Sequence, residues 1–308
     1  MESDRGDPAV GAAGAGVTTT EAAEAAGALQ AHRPMLLGLA YRLLGSLHDA
    51  EDVLQETYLR WLGVDRSTVD EPRRYLSRVV TRLALDRLRA RQAARETYVG
   101  TWLPEPVPTA PSPFGPLDRA ELRDSLSTAL LHVLERLTPP ERAVYVLHTA
   151  FDLPYAEIAE ILDRTPEDCR QLHHRATARV RQEQRRFTAS RAERERLLDA
   201  FLAAARDGDL AALTDLVATD ATAWNDGGGR ARAARNPVTG ADRIARFFAG
   251  IYGPGRQWTI RRVELNGEPA AVLTRADGGR YTLTLSAADG RITGVYVVGN
   301  PEKLPPAG

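Results

Sequence analysis

The stretch Pro154-Tyr-Ala-Glu-Ile-Ala-Glu-Ile-Leu-Asp-Arg-Thr-Pro-Glu-Asp-Cys-Arg-Gln-Leu-His-His-Arg-Ala176 decides how the middle of this chain folds. Pro154 opens a short helix whose Ile158, Ile161 and Leu162 share a face, and Asp163-Arg164 ends it. Thr165-Pro-Glu-Asp168 is then a fresh N-cap with proline at the first helical position, opening a longer helix through Val180. Upstream, Thr138-Pro-Pro-Glu141 carries the same signature and opens a helix to about Ala150. Helix, tight turn and capped helix make the helix-turn-helix layout. Along the last helix Cys169, Leu172, Ala176 and Val180 form an apolar stripe, while Arg170, Gln171, His174, Arg175 and Arg179 point elsewhere. From Arg164 to Arg186 seven arginines stand against Glu167, Asp168 and Glu183, a net of +4. A solvated face can be that basic, but the cation excess on a capped second helix favours entry into a DNA major groove. Cys169 reads as core. His173 and His174 read as packing or phosphate-contacting residues, since no third ligand stands at zinc-like spacing.

Outward from this block the chain divides by composition. Its 308 residues, 43% apolar, suffice for two or three separate cores. Residues 1–27 are Gly, Ala and Thr with five acids against Arg5, which predicts a disordered tail. Helical spacing of apolar residues runs from Leu29 to about Arg95, then six prolines fall within residues 104–116 and predict an extended linker over 96–122. The helix-turn-helix block occupies 123–187. Beyond it, short alternating runs such as Tyr281-Thr-Leu-Thr-Leu285 are punctuated by Asn266-Gly267, Asp277-Gly278 and Asp289-Gly290, which predict hairpins of an antiparallel sheet. Formal charge is balanced, 40 basic residues against 41 acidic, so only its distribution is informative. The single cysteine excludes an internal disulfide framework and fits a reducing compartment. No apolar run approaches a membrane span and no basic-then-apolar leader opens the chain, so a soluble cytosolic protein without membrane contact is expected.

The first helical block has two contrasting helices. Asp49-Ala-Glu-Asp52 is read as the cap of a helix with Ala50, Val53, Leu54, Thr57 and Trp61 on one face and Glu51, Asp52, Gln55 and Glu56 outside. An acidic surface repels DNA and is expected to meet a protein. Downstream, residues 72–95 hold eight arginines against Asp86, a net of +7, which points to phosphate contact through residues such as Arg73, Arg74, Arg78 and Arg82.

With these residues in view, Asp49-Ala-Glu-Asp-Val-Leu-Gln-Glu-Thr-Tyr-Leu-Arg-Trp61 resembles region 2 of the extracytoplasmic-function (ECF) sigma factors. Asp152-Leu-Pro-Tyr-Ala-Glu-Ile-Ala159 with Cys169-Arg-Gln-Leu172 resembles their region 4. The resemblance extends to the subgroup with a SnoaL-like C-terminal extension, through Tyr98-Val-Gly-Thr-Trp-Leu-Pro-Glu-Pro106, Asp226-Gly-Gly-Gly229 and Asn300-Pro-Glu-Lys303, and covers nearly everything after residue 28. Arg230 stands where that pattern has lysine, and Glu302 where it has aspartate. The resemblance implies two all-α sigma modules and a C-terminal α+β cone. It implies a factor that directs transcription initiation, with core RNA polymerase (clamp helices and flap) and promoter DNA as partners. Asp49, Glu51, Asp52, Gln55 and Glu56 would dock the polymerase, and the arginine-rich helix with the loop from Gly63 to Glu71 would handle the melting minus-ten element. The helix from Thr165 would enter the minus-thirty-five major groove, with Arg170, Gln171 and Arg175 reading bases and Arg164, His174 and Arg179 holding phosphates. Tyr98, Trp102, Leu103, Pro104, Glu105 and Pro106 would meet Asp226, Gly227, Gly228 and Gly229, and Asn300, Pro301, Glu302 and Lys303, in a regulatory junction with Trp102 and Leu103 buried.

Residues 191–304 resemble a fold shared by cyclases, isomerases and binding modules, so fold alone does not decide their role. No histidine follows His174 and no cysteine follows Cys169, which leaves only carboxylates such as Asp226 or Glu264 for acid-base work. Regulation without catalysis, cofactor or metal is therefore expected, with a small-molecule ligand in the cone's pocket left open. A SnoaL-type enzyme and a ligand-responsive repressor are the competing classes. Convergent carboxylates in a deep pocket would favour the first, and the acidic helix at Asp49–Glu56 argues against the second.

Overall fold

Serine and aspartate both cap helices well, and Ser46 lies just ahead of the Asp49 run. In the computed structural model, which describes residues 19–94, 98–115 and 125–305, Ser46 takes the role: its Oγ accepts the Asp49 N–H at 3.2 Å. Asp49 therefore sits in the first turn of α2 (Leu47–Leu62) and is not its cap. The buried stripe is Ala50, Val53, Leu54, Thr57 and Trp61, as the spacing predicts. Before it runs α1 (Thr19–Leu44), which extends helix into the segment that composition assigned to a tail; residues 1–18 lie outside the described residues. After it comes α3 (Pro72–Ala94), followed by the proline-rich segment.

The second block contains α4 (Thr128–Leu134), α5 (Pro139–Thr149), α6 (Tyr155–Leu162) and α7 (Pro166–Gln184). Both expected capping boxes are present, Thr138 with Glu141 and Thr165 with Asp168. Asp163, at φ 52°, makes the left-handed turn between α6 and α7. The two helical blocks do not have separate cores. Leu37, Leu43, Leu76 and Val80 of the first and Val144, Ile158, Cys169 and Ala176 of the second belong to one buried apolar cluster.

The C-terminal domain opens with α8 (Arg191–Asp207) and α9 (Leu210–Leu216) and continues through β1 (Val217–Asp226), β2 (Val238–Thr239) and α10 (Ala241–Tyr252). Strands β3 (Trp258–Leu265), β4 (Glu268–Arg275), β5 (Arg280–Ala288) and β6 (Arg291–Val298) complete a sheet in the order β2-β1-β6-β5-β4-β3. The expected antiparallel sheet is a mixed one, because β1 runs parallel to β6. Asn266-Gly267 and Asp289-Gly290 have both residues at positive φ, the geometry that two-residue hairpins of the right twist require.

The alternation in β5 predicts one apolar and one wetted face, but both are buried. Tyr281, Leu283, Leu285 and Ala287 face α8 and α10, while Thr282, Thr284 and Ser286 are also shut off from water. The second face is covered by the proline-rich segment and α4: Leu103 and Ala129 pack on Tyr296 and Val298. Among the described residues no helix is long and apolar enough to cross a membrane.

Candidate nucleic-acid interface and interdomain junction

The second helix of the helix-turn-helix presents its polar face as the sequence predicts. Arg164, Arg170, Gln171, His174, Arg175 and Arg179 are exposed, and Arg170, Gln171, His174 and Arg175 line one shallow depression with Glu167. Thr165 is exposed, but its oxygen accepts the Asp168 N–H at 3.0 Å as the helix cap. Arg170 pairs with Glu167 one turn away. Arg175 and Arg179 converge on Glu141, at 3.3 and 3.0 Å. Burial would raise the Glu141 carboxyl, but donors from Thr138 and the Arg175 guanidinium outweigh it and hold the group below its ordinary range. Cys169 is buried, and His173 packs between His148 and Tyr155 with a 2.8 Å bond to the Tyr155 hydroxyl. Burial and its cationic neighbours lower the His173 pKa to about 4, so it stays neutral.

On α2, Glu51 and Gln55 are exposed while Asp49, Asp52 and Glu56 are half-covered. The acidic face is largely paired within the chain. Asp49 is bound by Arg91, whose other nitrogen donates to Leu44 O at 2.7 Å; Asp52 meets Arg87 at 3.1 Å, and Glu56 meets Arg60 at 2.8 Å. On α3 the four arginines expected at DNA divide. Arg73 is exposed and Arg78 half-exposed. Arg74 instead reaches Glu157 and Glu160 of α6 at 3.4 and 2.8 Å. Arg82 grips Asp163 through both carboxylate oxygens and donates to Ile161 O at 3.0 Å. Two of the four thus hold the helix-turn-helix against the first helical block, a role that charge density alone cannot reveal.

The three signature segments meet on Asp226, which is 0% exposed at the end of β1. Its carboxylate accepts from the Tyr98 hydroxyl (2.5 Å), the Leu103 N–H (2.8 Å) and Lys303 Nζ (2.7 Å). Lys303 Nζ also donates to Leu103 O at 2.7 Å and lies 4.0 Å over the Trp102 ring. Burial pulls the Lys303 ammonium down to about 8, against the upward influence of Asp226. Gly228, at φ 56°, packs against Asn300 so closely that a Cβ would collide with the amide, and Gly229 lies against Val99. Asn300 Nδ2 donates to the Tyr98 hydroxyl at 3.2 Å. Leu103 is buried as expected, and Pro104, Pro106 and Gly227 are buried with it, but Trp102, expected to be buried too, is only half-buried, with Lys303 and Arg91 against its ring. Pro301 and Glu302 stay at the surface, where Glu302 meets Arg230 at 2.8 Å between two exposed side chains. Glu105 leaves the cluster and turns to α2, accepting the Leu47 N–H at 2.8 Å at that helix's N-terminus.

The proline-rich segment is therefore a strap and not a loose tether. Pro108 bridges to Leu265, and Val107 exchanges backbone and side-chain bonds with Asn266. Sequence reasoning marked Asn266 only as a turn residue. Its Nδ2 also donates to the Tyr41 hydroxyl (2.6 Å) and Leu126 O (3.1 Å), so one hairpin tip touches the first helical block, the strap and the approach to α4. Also unforeseen were buried Arg142, which donates to Arg42 O at 3.0 and 3.1 Å and pairs with Glu135, and Glu268, which accepts the Thr128 N–H.

The family Sigma-70 region 2 matches residues 28–94, Sigma-70, region 4 matches 127–180, and the SnoaL-like domain matches 198–298. The ECF RNA polymerase sigma factor SigJ of Mycobacterium tuberculosis (strain H37Rv) is 36% identical over 286 residues, 89% of this chain and 91% of the relative. The probable ECF RNA polymerase sigma factor SigI of the same species is 32% identical over 290 residues, 91% and 94% of the two chains. The crystal structure of M. tuberculosis SigJ superposes with a TM-score of 0.69 at 34% identity, covering 89% of this chain and 96% of that one.

Proposed function

Since the chain belongs to the ECF RNA polymerase sigma factors and serves transcription initiation with core RNA polymerase at promoter DNA, we propose that its C-terminal domain regulates that activity by clamping the two sigma modules together. The units are read as residues 28–95, 123–187 and 191–304, with a linker over 96–122 whose described part, 98–115, is the strap. The observation that carries the reading is the convergence of Tyr98, Leu103 and Lys303 on the buried Asp226 carboxylate. A charge so enclosed is stable only while all its donors are in place, so the junction behaves as one cooperative latch. Arg74 and Arg82 add to the closed form by tying α3 to α6.

A factor that reads two separated promoter elements must spread its modules, which a shared core and a docked strap oppose. Opening converts the strap into an extended tether, and only then do Arg74 and Arg82 become free for phosphate. In the open form the face of Arg170, Gln171 and Arg175 reads the upstream element and Arg164, Thr165, His174 and Arg179 hold its backbone. Glu51, Gln55 and the neighbouring acids meet the polymerase. Regulation is favoured over catalysis because the carboxylates are committed: Asp226 to the latch, and Glu264 to Arg191 at 2.7 Å. The proposed site of action is the cytoplasm, with the polymerase.

In-vitro transcription with core polymerase tests the clamp. Removing the tail from Asn300 deletes Lys303 and should raise promoter output by shifting population to the open state. Removing the chain from Arg191 should lose output, because β5 and β6 also support α4 and the strap. Unchanged output from both truncations would mean an independent domain on a tether.

A further inference from the structure

Asn266-Gly267 is the one Asn-Gly pair in the sequence, and it forms the tip of the β3–β4 hairpin with both residues at positive φ. Asparagine before glycine is chemically unstable, because glycine has no side chain to hinder attack by its own amide nitrogen on the neighbouring carboxamide. The other asparagines lack this weakness: Asn236 and Asn300 precede prolines, which have no N–H, and Asn225 precedes Asp226 inside β1. At the hairpin tip every group the reaction needs is held. Asn266 is 3% exposed. Its Oδ1 accepts the Val107 N–H at 2.8 Å, and its Nδ2 donates to the Tyr41 hydroxyl (2.6 Å) and Leu126 O (3.1 Å). The Gly267 N–H, which must be deprotonated to attack, donates to Thr109 Oγ1 at 2.8 Å. Val107 and Thr109 belong to the strap and Tyr41 to α1, so the tip stays fixed only while strap and helices stay docked on it.

We propose that Asn266 is a site of spontaneous deamidation, protected in the closed molecule and reactive whenever the strap lifts. The deprotonated Gly267 nitrogen attacks the Asn266 carboxamide carbon. The new N–Cγ bond closes a five-membered succinimide as the Cγ–Nδ2 bond breaks, and the proton given up by Gly267 leaves with Nδ2 as ammonia. Water then opens the ring at either carbonyl, giving aspartate or isoaspartate. The only co-reactant is water.

The product does not fit the junction it comes from. Aspartate still accepts from Val107, but it has no donor for Leu126 O and sets a negative charge against that carbonyl in a place shut off from water. Isoaspartate also lengthens the backbone within a two-residue turn, whose length fixes the hairpin register. Time spent open is thus recorded as a covalent change that opposes closure. The protected site rests on the local bonds; its link to opening and the loss of closure rest on the clamp reading.

Peptide mass mapping of the full chain, aged in mildly alkaline buffer, tests the site. Cleavage at arginine isolates Val263–Arg275, in which deamidation shows as a mass gain and isoaspartate separates chromatographically. The urea-unfolded chain sets the intrinsic rate, and the folded parent should react at least about tenfold more slowly. Thr109→Ala, which frees the Gly267 N–H, should speed the folded chain about fivefold, the loss of roughly one hydrogen bond. Equal rates in the folded and unfolded parent, or no speeding by Thr109→Ala, overturn the site. Lys303→Met should speed the reaction about tenfold or more, since modification through an opened form follows its population. Faster Leu103 amide exchange in that variant without faster deamidation refutes the link to opening. The clamp reading fails separately, if Lys303→Met leaves Leu103 exchange unaltered. Asn266→Asp, the product made directly, should raise Val107 amide exchange about tenfold while β5 and β6 keep their protection; exchange at the parent rate refutes the loss of closure.

Discussion

Replacing Lys303 by methionine keeps most of the side chain's bulk and deletes only its charge and donors. In the closed form the Asp226 carboxyl, at 0% exposure, would then keep only the Tyr98 hydroxyl and the Leu103 and Gly228 N–H groups as donors. Breaking a buried ion pair by removing one partner costs about 3 to 5 kcal/mol, and the three surviving donors argue for the lower end. The penalty falls on the closed state alone, since lifting the strap lets water reach the carboxylate. At about 1.4 kcal/mol per factor of ten, about 3 kcal/mol shifts the closed-to-open ratio roughly a hundredfold. Native-state hydrogen exchange reads this at two amides, Leu103, which bonds Asp226, and Val107, which bonds Asn266. Both should exchange roughly a hundredfold faster in Lys303→Met, while amides in β5 and β6 keep their protection. Adding Asp226→Asn should recover much of the loss by removing the stranded charge. Equal protection at Leu103 in the variant and the parent would refute the cooperative latch.

Arg82→Ala should loosen closure by about 1 to 2 kcal/mol, because its ion pair with Asp163 is solvent-screened and its bonds to Ile161 O and, at 3.4 Å, Glu160 O have neutral acceptors; the Val107 exchange rate checks this. Arg170→Ala should cost about 1 to 3 kcal/mol of upstream-element binding and relax sequence preference, whereas Arg179→Ala should weaken all sequences evenly, as competition binding at fixed salt would separate. His132, packed against Trp224 and Tyr296, has its pKa lowered to about 4 chiefly by burial and secondly by Arg136, against the pull of Glu135. The interface stability tied to neutral His132 is complete above about pH 6.5 and is lost as pH falls from there toward 4. Linkage measured by strap exchange between pH 7 and 5 should be present in the parent and absent in His132→Phe.

Local chemistry was legible and tertiary commitment was not. The capping boxes at Thr138 and Thr165 could be read directly because such caps are completed within four residues. Ser46 displaced Asp49 as a cap because two good capping residues lay within one turn, and only the entry angle of the chain from α1 chooses between them. Prolines announce an extended segment and the segment is extended, but nothing local says that Leu103 and Val107 are buried, since their cover comes from other elements, Leu103 from Ala129, Tyr296 and Val298 and Val107 from the helical core and Asn266. Arginine density on α3 gives charge without address: it points Arg74 and Arg82 to phosphate, whereas Glu160 and Asp163 face them within the chain. The segments converge on Asp226, but Glu105 turns away to α2 and Pro301 and Glu302 stay at the surface.

The row of hydroxyls on β5 bears on what happens when the molecule comes apart. Permanent contacts between domains are usually built from aliphatic and aromatic surface, which sticks to other molecules once uncovered. Thr282, Thr284 and Ser286 can hydrogen-bond water as readily as they accept cover, so separation uncovers a wettable row on β5 beside the apolar Tyr296 and Val298. The charged groups Asp226 and Lys303 regain hydration at the same moment. On the clamp proposed above, such a row limits how much sticky surface opening would expose, the solubility demand placed on a factor that cycles on and off a large enzyme.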